Sequence, residues 1–157
     1  MTSAVPAPVA IRRATSADVP AIVRLLADDP LGASRETPHH LAPYEAAFAR
    51  IDADPQHRLV VAERDGVVVG TLQLTILPGL SRQGATRGLV EAVRVDSSVR
   101  GGGLGTELLA WAVEAARESG CTMVQLTTDA SRTDAHRFYE RLGFVGSHLG
   151  FKLVLDA

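Results

Sequence analysis

Glu91-Ala92-Val93-Arg94-Val95-Asp96-Ser97-Ser98-Val99-Arg100-Gly101-Gly102-Gly103-Leu104-Gly105-Thr106 is the stretch on which the fold turns. A β-rich run ends at Val95, a turn follows, Arg100 opens a glycine cluster, and an amphipathic helix starts directly behind it. Backbone N–H groups at a helix start, cleared of side chains by glycine, make a cradle for phosphate oxygens. The segment therefore predicts a strand–loop–helix unit that holds a phosphorylated ligand.

Three phosphate-binding patterns compete for it. A Walker-type loop needs Gly-x-x-x-x-Gly-Lys-Ser/Thr, but the single lysine of the chain is Lys152. A dinucleotide fingerprint read from Gly101 or Gly103 needs a third glycine where Thr106 or Leu108 stands. Arg-x-x-Gly-x-Gly remains, supplied by Arg100, Gly103 and Gly105 behind the strand end Val93-x-Val95. That pattern resembles the pyrophosphate loop of the GNAT superfamily of acyl-CoA-dependent N-acyltransferases. One helix and one strand further on, Ala135-His136-Arg137-Phe138-Tyr139-Glu140-Arg141-Leu142-Gly143-Phe144 resembles the later motif of the same family, a short helix carrying Phe-Tyr and closed by Leu-Gly-Phe. The resemblance covers residues 58–155 well and 11–27 weakly; residues 28–57 match nothing specific.

Composition sets the bounds. A chain of 157 residues makes one domain, long enough to bury about 70% of its unfolded surface. Hydrophobic residues at 46% and charged residues at 22% are ordinary for a globular protein. A net charge of −2 without a basic block speaks against nucleic acid. No apolar run has membrane-spanning length and no secretory signal is visible, so a cytoplasmic protein without a membrane partner is expected. Cys121 has no second cysteine to pair with and heads an apolar strand, which suits a small core residue. His39-His40 lacks a carboxylate or thiol at ligand spacing, so no metal site is expected.

Residues 1–10 read as a Pro/Ala-rich flexible leader and residues 11–157 as the folded domain. A first strand is predicted at Ile11–Arg13, then a helix over Ala17–Ala27 capped by Ser16. Residues 28–43 read as loop and Tyr44–Ala53 as a second helix. Arg58–Glu63 and Val67–Ile76 are strands joined by Asp65-Gly66, a strong hairpin signal, with Gly70 marking a bulge. A loop over Pro78–Gly88 leads to the strand Leu89–Val95. The helix behind the glycine loop runs to Ser119 and is stopped by Gly120. Met123–Thr128 is the next strand, Ser131 and Asp134 cap the Phe-Tyr helix, and Phe151–Leu155 is a closing strand. The pattern argues for a single α/β domain built on a mixed sheet with helices on both faces. The resemblance makes that sheet mostly antiparallel and twisted, with a splayed central strand pair.

The resemblance also implies the chemistry, which is acetyl transfer from acetyl-CoA to a primary amine by direct attack within a ternary complex. Main-chain groups of Val93, Arg94 and Val95 would pair with pantetheine as an added strand does. Arg100, Gly101, Gly102, Gly103, Leu104, Gly105 and Thr106 would hold the pyrophosphate. An alkyl ammonium is only about 0.04% free base at pH 7, so the reaction needs a base. Glu91 is the candidate, acting through water, and Tyr139 the general acid toward the departing sulfur. Asparagine precedes the Phe-Tyr helix in many relatives; here Arg132-Thr133-Asp134 stands there, and Asp134 reads as a helix-start residue. His136 and Glu140 sit one turn apart, spaced to pair. The expected acceptor is a small-molecule amine. A protein N-terminus or lysine as acceptor, a non-catalytic acyl-CoA-binding regulatory module, and a glycine-rich interaction domain binding no cofactor stay open. Homodimers are common among relatives, which leaves a homodimer open too.

Overall fold

The hairpin expected at Asp65-Gly66 forms: both residues take positive φ, 51° and 76°, as a two-residue turn matched to strand twist requires. It joins β2 (His57–Arg64) to β3 (Val67–Pro78). This computed structural model describes residues 5–156; residues 1–4, part of the expected leader, and residue 157 lie outside the described residues. The sheet order is β1-β2-β3-β4-β5, with β1 at Ala10–Arg13, β4 at Thr86–Val95 and β5 at Cys121–Leu126. The first three pairings are antiparallel, and β4 with β5 is parallel.

Alternation along the strands feeds two cores. Val60, Ala62, Leu72 and Leu74 meet α5 (Leu104–Glu118), whose Leu104, Leu108, Ala112 and Ala116 are buried against them. Val61 and Leu59 face the other way, toward Ile22 and Leu26 of α1 (Val19–Ala27) and Phe48 of α3 (Ala42–Ala53). Helices thus cover both sheet faces, as expected. A single turn, α2 (Gly32–Arg35), sits in the segment read as loop. The start of α1 differs from the sequence reading. Ser16 opens a 3-10 turn, Ser16–Asp18, and the Asp18 carboxylate accepts the Thr15 N–H at 2.7 Å in place of a Ser16 cap. Arg12 clamps this corner, donating to Asp18 at 2.7 Å and to Glu63 at 2.6 Å. The Arg12 guanidinium holds the Asp18 carboxyl down at about 2.

Other boundaries move for local reasons. The loop after β3 is short because Arg82 and Gln83 adopt left-handed backbone within the tight turn α4 (Ser81–Gly84), so β4 starts at Thr86 instead of Leu89. β5 begins at Cys121, directly behind Gly120 (φ 78°), and ends at Leu126. Residue Ser131 does not cap α6 (Thr133–Arg141); its N–H and hydroxyl both bond Asp129, at 2.9 and 2.6 Å. The irregularity between β2 and β3 falls next to Gly70, where Ala62 pairs with Gly70 but Glu63 with Val68. The expected closing strand does not form within the chain. Phe151–Leu155 has no strand partner among the described residues, and its residues are exposed. Its alternation confers strand propensity, but a strand exists only when an edge is there to pair with.

Candidate active site

The site grows from one extra residue in β4. Thr71 pairs with Arg94 and Gln73 with Glu91, so two residues, Ala92 and Val93, oppose Leu72 alone. Ala92 carries the insertion in left-handed backbone, φ 54°. The bulge has two consequences. It re-aims the side chains beyond it: Val93 and Val95 pack on the α5 core, while Arg94 shares the opposite face with Thr71. It also ends the contact with β5, whose last pair is Val90 with Leu126. From Glu91 to Val95 the β5-facing edge of β4 has no strand partner among the described residues.

On that open edge the Val93 carbonyl accepts from the Arg94 guanidinium at 3.0 Å, and the Val95 carbonyl from Arg100 Nε at 3.1 Å. Arg100 is half-exposed and also faces the Asp28 carboxylate at 3.7 Å. The chain then turns through Ser97–Val99, where Asp96 accepts the Ser98 N–H at 2.9 Å, into the glycine loop. Gly101 and Gly103 take φ of 84° and 83°, a conformation that would strain any side chain. Gly103 is the N-cap of α5. The N–H groups of Leu104, Gly105 and Thr106 therefore have no intrahelical acceptor, while Glu107 N–H bonds the Gly103 carbonyl. Gly102 N–H reaches the Val99 carbonyl at 3.4 Å. A Cβ on Gly105 would stand 3.3 Å from Phe138 Cζ, so the glycine lets α5 and α6 approach at the loop. An open strand edge running into a row of free helix-start N–H groups fits a ligand that is amide-bearing at one end and pyrophosphate at the other.

Tyr139 lies half-buried on α6, between Phe138 and Phe144 at ring-centroid distances of 5.2 and 5.9 Å. Burial pushes its phenol up, with Arg132 and Arg94 pulling the other way, so the hydroxyl carries its proton at neutral pH. Glu91 is exposed at the bulge. Cross-strand partners share a sheet face, which puts Glu91 on the face that Gln73 presents to a cavity. That cavity, about 190 Å³, lies between α1, α3 and the sheet, and its wall runs from Ile22, Tyr44 and Phe48 to Gln73 and Ala92. The structure thus gathers Val95, Gly105 and Phe138 at the open edge, and sets Glu91 at the bulge between that edge and the cavity.

A family model for the acetyltransferase (GNAT) family matches residues 19–144. The chain belongs to that family. Its members use acetyl-CoA as acyl donor, and this GNAT protein is an acyl-CoA-dependent N-acetyltransferase. It is 37% identical over 112 residues to the aminoalkylphosphonate N-acetyltransferase of Salmonella typhimurium, covering 71% of this chain and 72% of that one. It is 43% identical over 79 residues to the glucosamine 6-phosphate N-acetyltransferase of Trypanosoma brucei brucei, covering 50% of this chain and 52% of that enzyme. Among solved structures, a transcriptional regulator from Bacillus halodurans superposes with a TM-score of 0.92 at 45% identity, over 94% of this chain and all of the other.

Two features of this acetyltransferase's site escape its sequence. Alanine gives no sign of left-handed backbone, so the position of the bulge at Ala92 is not legible. Nor is the buried ion pair in which Arg94 Nε lies 3.0 Å from Asp29 Oδ2, because Asp29 stands far back, just past α1. Burial raises the Asp29 carboxyl, but the Gly32 N–H and the positive charges of Arg94, Arg132 and Arg35 outweigh it and leave it lowered. The i,i+4 pair suggested for His136 and Glu140 does not form; His136 Nε2 lies 3.0 Å from the Asp129 carbonyl. Among the described residues no His/Cys/Asp/Glu group could hold a metal, and no helix is long and apolar enough to cross a membrane.

Proposed function

We propose that this enzyme moves the acetyl group of acetyl-CoA to the primary amine of a small molecule, by direct attack in a ternary complex. The observation that carries the reading is the bulge at Ala92, which opens the β4 edge on one side and adjoins the apolar cavity on the other. Pantetheine would align with Val93–Val95 and the pyrophosphate with the N–H groups of residues 101–106; Arg94 and Arg100 would release their carbonyl contacts to free the edge. The thioester carbon would then come near the bulge, within reach of an amine in the cavity. Glu91 takes the ammonium proton through water, the nitrogen attacks the carbonyl carbon, and the C–S bond breaks. Tyr139 gives its proton to the sulfur, the nitrogen loses its second proton to water as the amide forms, and Tyr139 regains one from solvent. Holding the two reactants together contributes more than either proton transfer.

A partly open cavity of about 190 Å³ with mainly apolar walls has room for a compact acceptor. The relatives named for aminoalkylphosphonate and glucosamine 6-phosphate support an acceptor that pairs its amine with an anionic group, and Arg94, Arg35 and Arg132 around Asp29 offer the positive charge to meet it. We place the enzyme in the cytoplasm and assign residues 11–157 to its acetyltransferase domain. The Bacillus halodurans neighbour described as a transcriptional regulator favours a second reading, an acyl-CoA sensor on the same fold. Thiol release from acetyl-CoA, measured across a panel of aminoalkylphosphonates, amino sugars, polyamines and short peptides, separates the readings. Turnover with a small amine supports the proposal. Turnover with peptides alone transfers the acceptor to proteins, and tight binding with no turnover across the panel favours the sensor.

A further inference from the structure

The two helices over the acceptor cavity are held very differently. α1 is fixed in the core, with Val19, Ile22, Val23 and Leu25 buried. α3 contributes no buried residue. Its half-buried residues are Tyr44, Phe48 and Ile51, spaced to share one helix face. With Ala47 they line the cavity of about 190 Å³ from above, over a floor that includes Thr71, Gln73 and Ala92. The apolar face of α3 is thus turned to a space and not to a core.

Among the described residues no charged side chain lines this space. Its hydroxyls are already engaged. Thr71 Oγ1 donates to the Val60 carbonyl at 2.8 Å. The Tyr44 hydroxyl donates to Glu36 at 2.7 Å and accepts the Thr37 N–H at 2.8 Å. That leaves the Gln73 amide as the polar group of the floor, beside the bulge. A polar group placed here would give up its water and regain few hydrogen bonds. A hydrocarbon group has no such loss, and an apolar cavity of about 150 Å³ is large enough to hold a benzene ring.

We propose that the acceptor amine carries a compact apolar group, of branched-alkyl or benzyl size, which sits under α3 while the nitrogen lies at Ala92. The inference rests on the reading of this cavity as the acceptor site. Ala47, Phe48 and Ile51 then set specificity, because they form the wall that the apolar group touches. An acid on the same molecule would still face the arginines around Asp29, while the cavity selects the carbon skeleton.

Thiol release from acetyl-CoA by the full chain tests this on three matched series. Methylamine, glycine and aminomethylphosphonate are each compared with homologues bearing isobutyl or benzyl on the amine carbon. A single methylene in an apolar pocket changes kcat/KM by roughly tenfold or more, so the best-used series should rise at least that much from its unsubstituted member. Ala47→Trp and Ile51→Trp, which fill the cavity from α3, should bring that ratio back to about one. Unsubstituted members used as well as their homologues would overturn the proposal and leave the small-amine reading standing. A rise kept by both tryptophan variants also overturns it, since the apolar group then lies elsewhere. Saturation-transfer NMR with CoA and the three benzyl homologues reads the cavity without turnover. At least one ring should receive the signal in the wild type and lose it in both variants. If that contact appears but no amine is turned over, the preference of the cavity holds and the small-amine acceptor reading falls. No transfer to any of the three rings overturns the proposal, whatever the turnover.

Discussion

The two walls of the open strand edge differ in how they are held. The β4–α5 wall is anchored in the main core, where Leu72, Leu74, Leu108 and Ala112 are fully enclosed, and it presents the bulge and the glycine loop. The β5–α6 wall presents Tyr139 yet contains no fully buried residue. A cradle for pyrophosphate works through fixed main-chain N–H groups, so it belongs on the rigid wall. In the proposed mechanism Tyr139 needs only to meet the departing sulfur, and the thiolate, with an ordinary pKa near 8.5, leaves readily. The proposed mechanism thus puts the better-packed wall where geometry matters most and leaves the less demanding step to the other.

The sharpest way to break that contrast is through packing. Leu108→Ala should destabilise the protein by about 3–4 kcal/mol, because Leu108 is wholly enclosed between α5 and the sheet. Val124→Ala, on half-buried β5, should lose less than half as much, as read from denaturant midpoints. Equal losses would mean that the two walls are equally packed.

Within the chemistry, Glu91→Gln should lower kcat/KM by roughly 10²-fold and leave the affinity for acetyl-CoA unchanged. A variant with full activity between pH 6 and pH 9 would remove Glu91 from the mechanism. Tyr139→Phe, on the softer wall, should cost only about tenfold, again with acetyl-CoA affinity kept. If Tyr139→Phe costs more than Glu91→Gln, protonation of sulfur and not deprotonation of the amine limits the rate.

Far from both walls, Asp18 sharpens the stability side. Its folded carboxyl titrates at about 2 against an ordinary 3.8, so its pairing with Arg12 stabilises the protein fully above pH about 4 and is lost as the pH falls toward 2. Asp18→Asn should therefore cost about 2 kcal/mol near pH 7 and almost nothing near pH 2. A cost that does not change over that range would mean that packing, and not charge, holds the corner.

Legibility in the sequence does not follow the same division. Asp65-Gly66 carries its own turn geometry, and the glycine loop declares itself by composition, so both are readable residue by residue. The bulge site at Ala92 is not, since the left-handed residue is an alanine that the register of three strands forces into place. The Asp29–Arg94 pair depends on α1 ending beneath β4, which no local pattern encodes. Phe151–Leu155 shows the opposite failure. Its strand pattern is plain, but pairing depends on where an edge lies, and among the described residues no strand pairs with it.

The central claim is that the open β4 edge and the glycine loop bind acetyl-CoA. Thermal unfolding with and without acetyl-CoA tests it, with ATP and NAD as controls. Acetyl-CoA at 100 times its Kd should add about 2.7 kcal/mol and raise Tm by roughly 5–10 °C, with neither control doing so. No shift at millimolar acetyl-CoA, or an equal shift with ATP, would contradict it.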